Sequence, residues 1–213
     1  MTTNHPLTDE ALAEARARHK RKEISGGELK RLVLSSCDLP KLGVWETFGA
    51  ELLLVRDEEL RNYTAGIIDR LPNYFWHVPA SIMGFHAIAS DNAVGGLVRH
   101  TQKVARMAAT MGEPWSLDHL SDSMVATAFL HDGLKYGWDG NVPREDDHAS
   151  FCARWLKREG LFEDHPQIVG MVGAHHGKWG KWRPRTEAEW AFHLADYVVS
   201  RGAVPHLNGH DRT

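Results

Sequence analysis

Several histidines and aspartates of this chain lie in segments that are predicted to face the protein interior. Fourteen of the 213 residues are histidines. His131 and Asp132 are consecutive and follow an apolar stretch, and His100, His148 and Asp196 each lie among apolar residues at helical spacing. An imidazole or a carboxylate in apolar surroundings needs a partner such as a hydrogen bond or a metal ion. The set therefore predicts a buried metal site with nitrogen and oxygen ligands.

Each of these residues has a simpler explanation when it is taken alone. A buried histidine more often has an ordinary hydrogen-bond partner, and Asp196 can pair with a buried histidine, arginine or backbone donor. Because His131 and Asp132 would leave a helix about 100° apart, they share one ion only if it lies beside the helix. This restriction on the position of the ion does not apply if the Asp132 carboxylate bridges two ions. The residues favour a metal site only as a set.

A second group of polar residues lies further along the chain, at 175–185. The pair His175 and His176 ends an apolar helical segment, and periodicity does not decide which of the two faces inward. Residues 178–185 contain four cations and two tryptophans, and the cations include Lys178, Lys181 and Arg183. Such a loop can hold phosphates and stack on a base. The alternative is a solvated loop whose tryptophans pack on the core, and we interpret the segment as a substrate lid.

Composition limits the kind of protein that can contain such a site. The net charge of -3 gives no general attraction to nucleic acid, and the two cysteines are too few for a disulfide framework or a thiolate metal site. We expect no membrane span and no signal peptide, because no apolar run is long enough. The sequence predicts one cytoplasmic domain, preceded by an N-terminal extension over 1–55, with the main domain over 56–213.

The elements that position these residues are predicted to be helices, with apolar periodicity and end signals at each. The predicted spans are 8–23, 57–71, 93–111, a helix from an N-cap at Ser116 to His131, 145–159, 164–176, and a buried helix after the capping box of Thr186 and Glu189. Residues 25–55 give no clear prediction, and 51–55 are compatible with a short strand or a buried turn.

The order of the candidate residues resembles the HD-domain superfamily of metal-dependent phosphohydrolases. The resemblance covers about 74–201. It includes the phrases Phe75-Trp-His-Val-Pro-Ala-Ser, Gly95-Gly-Leu-Val-Arg-His-Thr, His131-Asp-Gly-Leu-Lys and His193-Leu-Ala-Asp-Tyr. As a set these phrases are specific, whereas any one of them would not be. The fold that the resemblance implies is all-α, an HD-domain helical bundle with an irregular N-terminal extension.

The resemblance also implies a set of metal ligands. His100, His131, Asp132 and Asp196 would surround a first ion, and His148 and His175 would add a second ion that Asp132 bridges. His176 is then left for substrate binding, and His86 is placed next to the site. Imidazole and carboxylate ligands suit Mn, Fe, Co, Ni, Zn or Mg and do not distinguish between them.

The implied activity is hydrolysis of a phosphoester by a metal-activated hydroxide, with Asp132 and Lys135 as the catalytic side chains. Lys135 would steady a phosphate oxygen, or it is simply a solvated lysine near a helix end. A small anionic nucleotide is the favoured substrate, since residues 1–55 lack the strands of a nucleic-acid-binding barrel, although single-stranded nucleic acid stays open. The alternatives are an HD-domain di-iron oxygenase and a nucleotide-binding HD protein without catalysis.

Overall fold

The computed structural model describes residues 6–37, 39–143 and 146–202, and in these ranges all regular secondary structure is helical. The helices are α1 (Asp9–Lys20), α2 (Gly26–Ser35), α3 (Val44–Leu52), α4 (Glu58–Arg70), α5 (Gly96–Met111), α6 (Ser121–Leu130), α7 (His148–Arg158), α8 (Pro166–Ala174) and α9 (Glu187–Ser200). Short 3-10 turns connect several of them. The all-α prediction is confirmed. None of the described helices combines the length and apolar character that a membrane span requires.

The described residues fall into two compact units, each discontinuous in sequence. The first unit takes its residues from 1–41, 73–100 and 200–213, and the second from 42–72 and 101–199. The division into an extension and a main domain at residue 55 stays a prediction.

The first unit is more regular than the sequence predicted. Residues 26–35, expected to be irregular, form α2, which begins at a capping box between Ser25 and Glu28. The many charged residues of the first segment predict a solvated arm. This prediction is wrong, because Leu12 of α1 is buried and the Arg16 guanidinium donates hydrogen bonds to the carbonyls of Ser81 and Ile82, at 2.7 and 2.8 Å. The N-terminal residues therefore belong to the folded body of this unit.

The second unit is built around α6, whose residues from Ser123 to Leu130 are all buried. Helices α4 and α8 pack against α6, and α7 packs against α8. Helix α3, in a segment without a predicted element, also contacts α6 through an edge-to-face pair of Phe48 and Phe129. An apolar helix enclosed in this way leaves its polar neighbours at the helix end inside the protein.

Three predicted helix features differ in the structure. Ser116 is not an N-cap, because its φ of 56° is left-handed, and two 3-10 turns precede the start of α6 at Ser121. The predicted start at residue 145 lies outside the described residues, and α7 begins at His148. Helix α9 is not buried all round, since Trp190 and Tyr197 are exposed.

A buried ion pair in the second unit gives a test of the fold. Glu51 is 1% exposed, and the Arg106 guanidinium donates two hydrogen bonds to its Oε1, from Nε at 2.9 Å and Nη2 at 2.5 Å. We expect Arg106→Ala to lower the free energy of unfolding by about 3 kcal/mol, because it leaves a buried carboxylate without its cation. Urea denaturation monitored by circular dichroism measures this change.

The matched control is Arg56→Ala, which removes an exposed arginine that pairs with Asp122 at 3.2 Å. Exposed pairs contribute at most about 1 kcal/mol, so this variant should unfold close to the wild type. Equal losses in the two variants would contradict the assignment of the Glu51 pair to the core.

Candidate metal centre

Asp132 lies in a turn that directly follows α6. The helix ends at Leu130, so His131 and Asp132 leave the regular helix and both side chains are buried. His131 Nδ1 lies 2.7 Å from the carbonyl of Ala128. Since a carbonyl only accepts, Nδ1 donates this hydrogen bond, and Nε2 is the ring nitrogen that faces the carboxylates. This nitrogen lies 3.6 Å from Asp132 Oδ2 and 3.8 Å from Asp196 Oδ1.

The other oxygen of Asp132 faces a different pair of histidines. His148 Nε2, at the start of α7, lies 2.8 Å from Asp132 Oδ1, and His175 Nε2, just after α8, lies 3.8 Å from the same oxygen. His175 Nδ1 donates to the carbonyl of Val172 at 2.8 Å, which again directs the lone pair of Nε2 towards Asp132. The two oxygens of one carboxylate therefore face two separate groups of ligand atoms.

His176 lies with the second group. Its Nε2 is 3.0 Å from His148 Nε2, and together with His175 these rings form a cluster whose nitrogens lie within 4.8 Å of one another. Behind the ring, Asp147 Oδ2 lies 3.4 Å from His176 Nδ1 and accepts the backbone N–H of Lys181 at 2.8 Å. The structure places His176 where a ligand would be, and its predicted role in substrate binding stays a prediction.

The separations of these atoms fit a divalent ion. Two ligand atoms at about 2.1 Å from one ion lie about 3.0 to 3.4 Å apart in octahedral or tetrahedral geometry. The separations of 3.6 and 3.8 Å around His131 Nε2 exceed this range by a few tenths of an ångström. Imidazole nitrogens and carboxylate oxygens are the donors that transition metals accept. These residues of the second unit therefore provide a metal-binding arrangement, with Asp132 between its two halves.

Lys135 provides a cation within this arrangement. Its Nζ lies 2.5 Å from Asp132 Oδ2, and the side chain is 15% exposed. Burial alone would raise the pKa of Asp132, but Lys135, His131 and His148 outweigh it and hold this pKa well below its usual range. Burial likewise opposes the charge on Lys135, and the Asp132 carboxylate reverses that effect and raises the lysine pKa. Both groups are therefore charged, and each stabilises the other.

Two histidines of the site, His175 and His176, are held in the neutral form, which is the form that can bind a metal ion. Burial lowers the pKa of His175 well below its usual value, and the neighbouring His176, His131 and His148 lower it further. The pKa of His176 is also lowered, by burial and by His148. Neutral imidazole is the form that coordinates an ion, so no proton has to be removed from these rings near neutral pH.

His100, the remaining predicted ligand, belongs to the first unit. It lies in the first turns of α5, is buried, and has its Nδ1 4.0 Å from Oδ2 of the buried Asp91. His86 packs edge to face on the His100 ring at 4.7 Å, and the three residues form a cluster that could hold an ion. The predicted sharing of an ion between His100 and Asp132 stays a prediction.

The three predicted substrate-binding cations beyond His176 lie on the surface. Lys178, Lys181 and Arg183 are exposed, and Lys178 Nζ lies 5.0 Å from the centroid of the Trp179 ring. In contrast, Trp182 packs against α8, where a Cβ on Gly173 would lie 2.1 Å from its ring. One tryptophan of the predicted lid thus packs on the core, and the function of the loop stays a prediction.

Sequence reasoning missed two carboxylates of these clusters. Asp147 had a detectable signal, since an aspartate three residues before a serine at a helix start is a capping pattern, and both cap hydrogen bonds with Ser150 are present. Asp91 had none, because it lies in the short 3-10 turn Ala89–Asn92, which is too brief to show periodicity.

The comparisons with known proteins point to phosphodiester chemistry. The chain is 28% identical over 172 residues to the dihydroneopterin 2',3'-cyclic phosphate phosphodiesterase of Methanocaldococcus jannaschii. The match covers 69% of this chain and spans 65% of the length of that protein. No protein-family model matches the chain, and no solved structure matches it. Membership of the HD-domain superfamily therefore stays a prediction.

Asp147 gives a pH-dependent test of the site. Burial opposes its charge, but hydrogen bonds from Ser150 and from the Lys181 backbone outweigh this and lower the pKa of the carboxyl. Its stabilising effect is complete above the unfolded-state pKa of about 3.9 and is lost as the pH falls towards the lower folded-state value. We expect Asp147→Ala to lower the free energy of unfolding by about 1 kcal/mol at pH 7, and by less at pH 3.

Asp147→Asn is the control, because it keeps a capping oxygen without a charge that titrates. Its free energy of unfolding should lie between those of the wild type and the alanine variant at pH 7, and its difference from the alanine variant should not change between pH 7 and pH 3. Urea denaturation of all three proteins at both pH values makes the comparison. A difference between wild type and the alanine variant that stays constant from pH 7 to pH 3 would show that the folded-state pKa is not lowered.

Proposed function

We propose that this protein is a metal-dependent phosphodiesterase that hydrolyses a small, nucleotide-like phosphoester. The observation that carries the proposal is the position of Asp132, whose two oxygens face two separate groups of histidine and carboxylate ligands. A carboxylate in this position can bridge two divalent ions. Paired ions are a common solution for displacement at phosphorus.

The similarity to a phosphodiesterase supports the choice of reaction. The substrate in the name of that protein is a 2',3'-cyclic phosphate of dihydroneopterin, which is a fused heterocycle with a phosphodiester ring. We extend only the shared chemistry to this chain, a five-membered cyclic phosphodiester attached to a planar heterocycle. Nucleoside 2',3'-cyclic phosphates belong to the same class.

The proposed ligands follow from the geometry of the second unit. His131, Asp196 and Oδ2 of Asp132 would hold one ion, and His148, His175 and Oδ1 of Asp132 the other. The resemblance adds His100 to the first set. Bound there, divalent ions would lower the pKa of a coordinated water and stabilise negative charge that develops on the phosphate.

The protein's own residues prepare this site in three ways. Carbonyl oxygens of α6 and α8 fix the rings of His131 and His175, so that their lone pairs point at Asp132. Burial keeps His175 neutral and therefore able to bind a cation. Lys135 supplies a buried positive charge beside the carboxylate, where it can donate a hydrogen bond to a phosphate oxygen. No side chain has to act as a nucleophile.

Asp132→Asn tests the proposal directly. An amide cannot bridge two cations, so we expect bound metal to fall and the hydrolysis of 2',3'-cyclic GMP to fall by more than the 10- to 100-fold typical of outer-shell changes. Elemental analysis of protein purified without oxygen and loaded with Mn²⁺ gives the metal content, and phosphate-ester assays give the rate. Asp139→Asn, an exposed position seven residues further on, is the matched control.

The same preparations separate the alternative reactions. Full hydrolysis by the Asp132 variant, with folding verified by circular dichroism, would refute the proposed centre. Iron with oxygen consumption and no hydrolysis would instead identify an oxygenase. Tight nucleotide binding without any product would identify a binding protein.

Lys135→Met gives a second test, in which Mn²⁺ affinity should rise and kcat should fall. The ammonium contacts Asp132 Oδ2, an atom that the proposed ion also needs. Removing the competing cation should tighten Mn²⁺ binding, measured by calorimetry, whereas kcat should fall because the phosphate loses a cationic contact. Weaker Mn²⁺ binding by the methionine variant would mean that the lysine does not compete with a metal at this oxygen.

A further inference from the structure

Two exposed aromatic rings lie beside the candidate centre. Trp179 is 64% exposed and Tyr197 is 37% exposed, and their rings are stacked with centroids 5.9 Å apart and an angle of 16° between their planes. We call this pair the aromatic platform. An exposed pair of large, nearly parallel rings offers an aromatic contact surface, and Tyr and Trp are enriched at binding interfaces.

The platform is tied to the centre through both sequence and contacts. Tyr197 directly follows Asp196, and Trp179 comes three residues after His176. Beneath the platform lies the buried His193, whose ring is 6.0 Å from each of the two rings and whose Nδ1 donates to the carbonyl of His175 at 2.6 Å. Anything bound on these rings is therefore close to the residues around Asp132.

The local backbone is built to keep His193 in this position. Gly177 has a φ of +61°, and a Cβ there would lie 2.4 Å from the His193 ring. The 3-10 turn Gly177–Trp179 that begins at this glycine turns the indole outwards. Trp182, three residues later, packs against α8 instead. Trp179 is therefore exposed because of its position in this turn, whereas Trp182 in the same loop is packed against α8.

The chemistry of the platform selects a flat, aromatic ligand. Stacking on two parallel rings requires a planar π system, and fused heterocycles such as purines and pterins provide one. The Lys178 ammonium near the face of Trp179 places a positive charge next to the same surface, where it would favour a phosphate-bearing molecule. An aliphatic phosphate ester would gain nothing from the two rings.

We propose that Trp179 and Tyr197 form the binding site for the heteroaromatic ring of a phosphate ester whose phosphate lies at Asp132. The assignment rests on the proposed function and adds to it the part of the substrate that the enzyme recognises. The platform binds the ring equally in the ground state and the transition state, so its loss raises KM and leaves kcat nearly unchanged.

The test compares two five-membered cyclic phosphodiesters, one that carries a heterocycle and one that has no aromatic ring. With Mn²⁺-loaded enzyme, Trp179→Ala and Tyr197→Ala should each raise KM for 2',3'-cyclic GMP about 10-fold, with no change for glycerol 1,2-cyclic phosphate. Trp45→Ala is the matched control, because this tryptophan is 48% exposed on α3 and lies outside the platform. Its KM values should equal those of the wild type.

Equal changes for both substrates, or no change for either, would overturn the assignment. If light scattering showed that Trp179→Ala changes only the mass of the particle in solution, the platform would be a contact between copies of this chain, which also overturns it.

A binding measurement tests the aromatic platform independently of whether the protein hydrolyses a cyclic phosphodiester. Neopterin and 2'-GMP are added to the metal-loaded protein, and tryptophan fluorescence is recorded without any turnover. Saturable quenching that Trp179→Ala weakens about 10-fold supports a heterocycle site even if neither cyclic phosphate is hydrolysed. Hydrolysis without such quenching would support the proposed function and refute the platform.

Discussion

The second unit of this protein depends on how the negative charge of Asp132 is stabilised inside an apolar bundle. A buried carboxylate is tolerated only when cations or several donors surround it. Here it has Lys135 at one oxygen and His148 at the other, with His131 and His175 further out. The same surroundings keep Asp132 ionised, which is the form in which a carboxylate can bind a cation. Stability and the proposed chemistry therefore depend on the same few contacts.

The residues around Asp132 lie together because α6 and α8 each end directly before one of the buried histidines. Helix α6 is buried from Ser123 to Leu130, and His131 follows as its C-cap with helical backbone angles, so this residue and Asp132 lie inside the unit. Helix α8 ends at Ala174, and His175 follows in the same way. In both cases the ring is fixed by a carbonyl three residues earlier. Every helix leaves carbonyl groups at its C-terminus without a partner in the helix, and here such carbonyls orient the rings of His131 and His175.

Much of this arrangement could be predicted from sequence, because long amphipathic or apolar segments show their period. The periodicity of α4 to α9 located the helices that carry His131, His148, His175 and Asp196. Asp91 was missed because its 3-10 turn is too short to show a period, and α2 and α3 were missed because the glycines and proline of their segment indicate turns. The stacking of Trp179 on Tyr197 depends on two segments meeting in space, and no local pattern of residues encodes such a meeting.

Lys135 has a further consequence for how the protein matures. Its ammonium satisfies Asp132 Oδ2 from within the chain, so the bundle does not need an external ion to neutralise its interior. Many small metalloproteins are unfolded until they acquire their metal. For the proposed metal centre, a built-in counter-ion would let the chain fold before an ion is loaded. The supply of the ion would then determine when the protein becomes active, and it would not determine whether the protein folds.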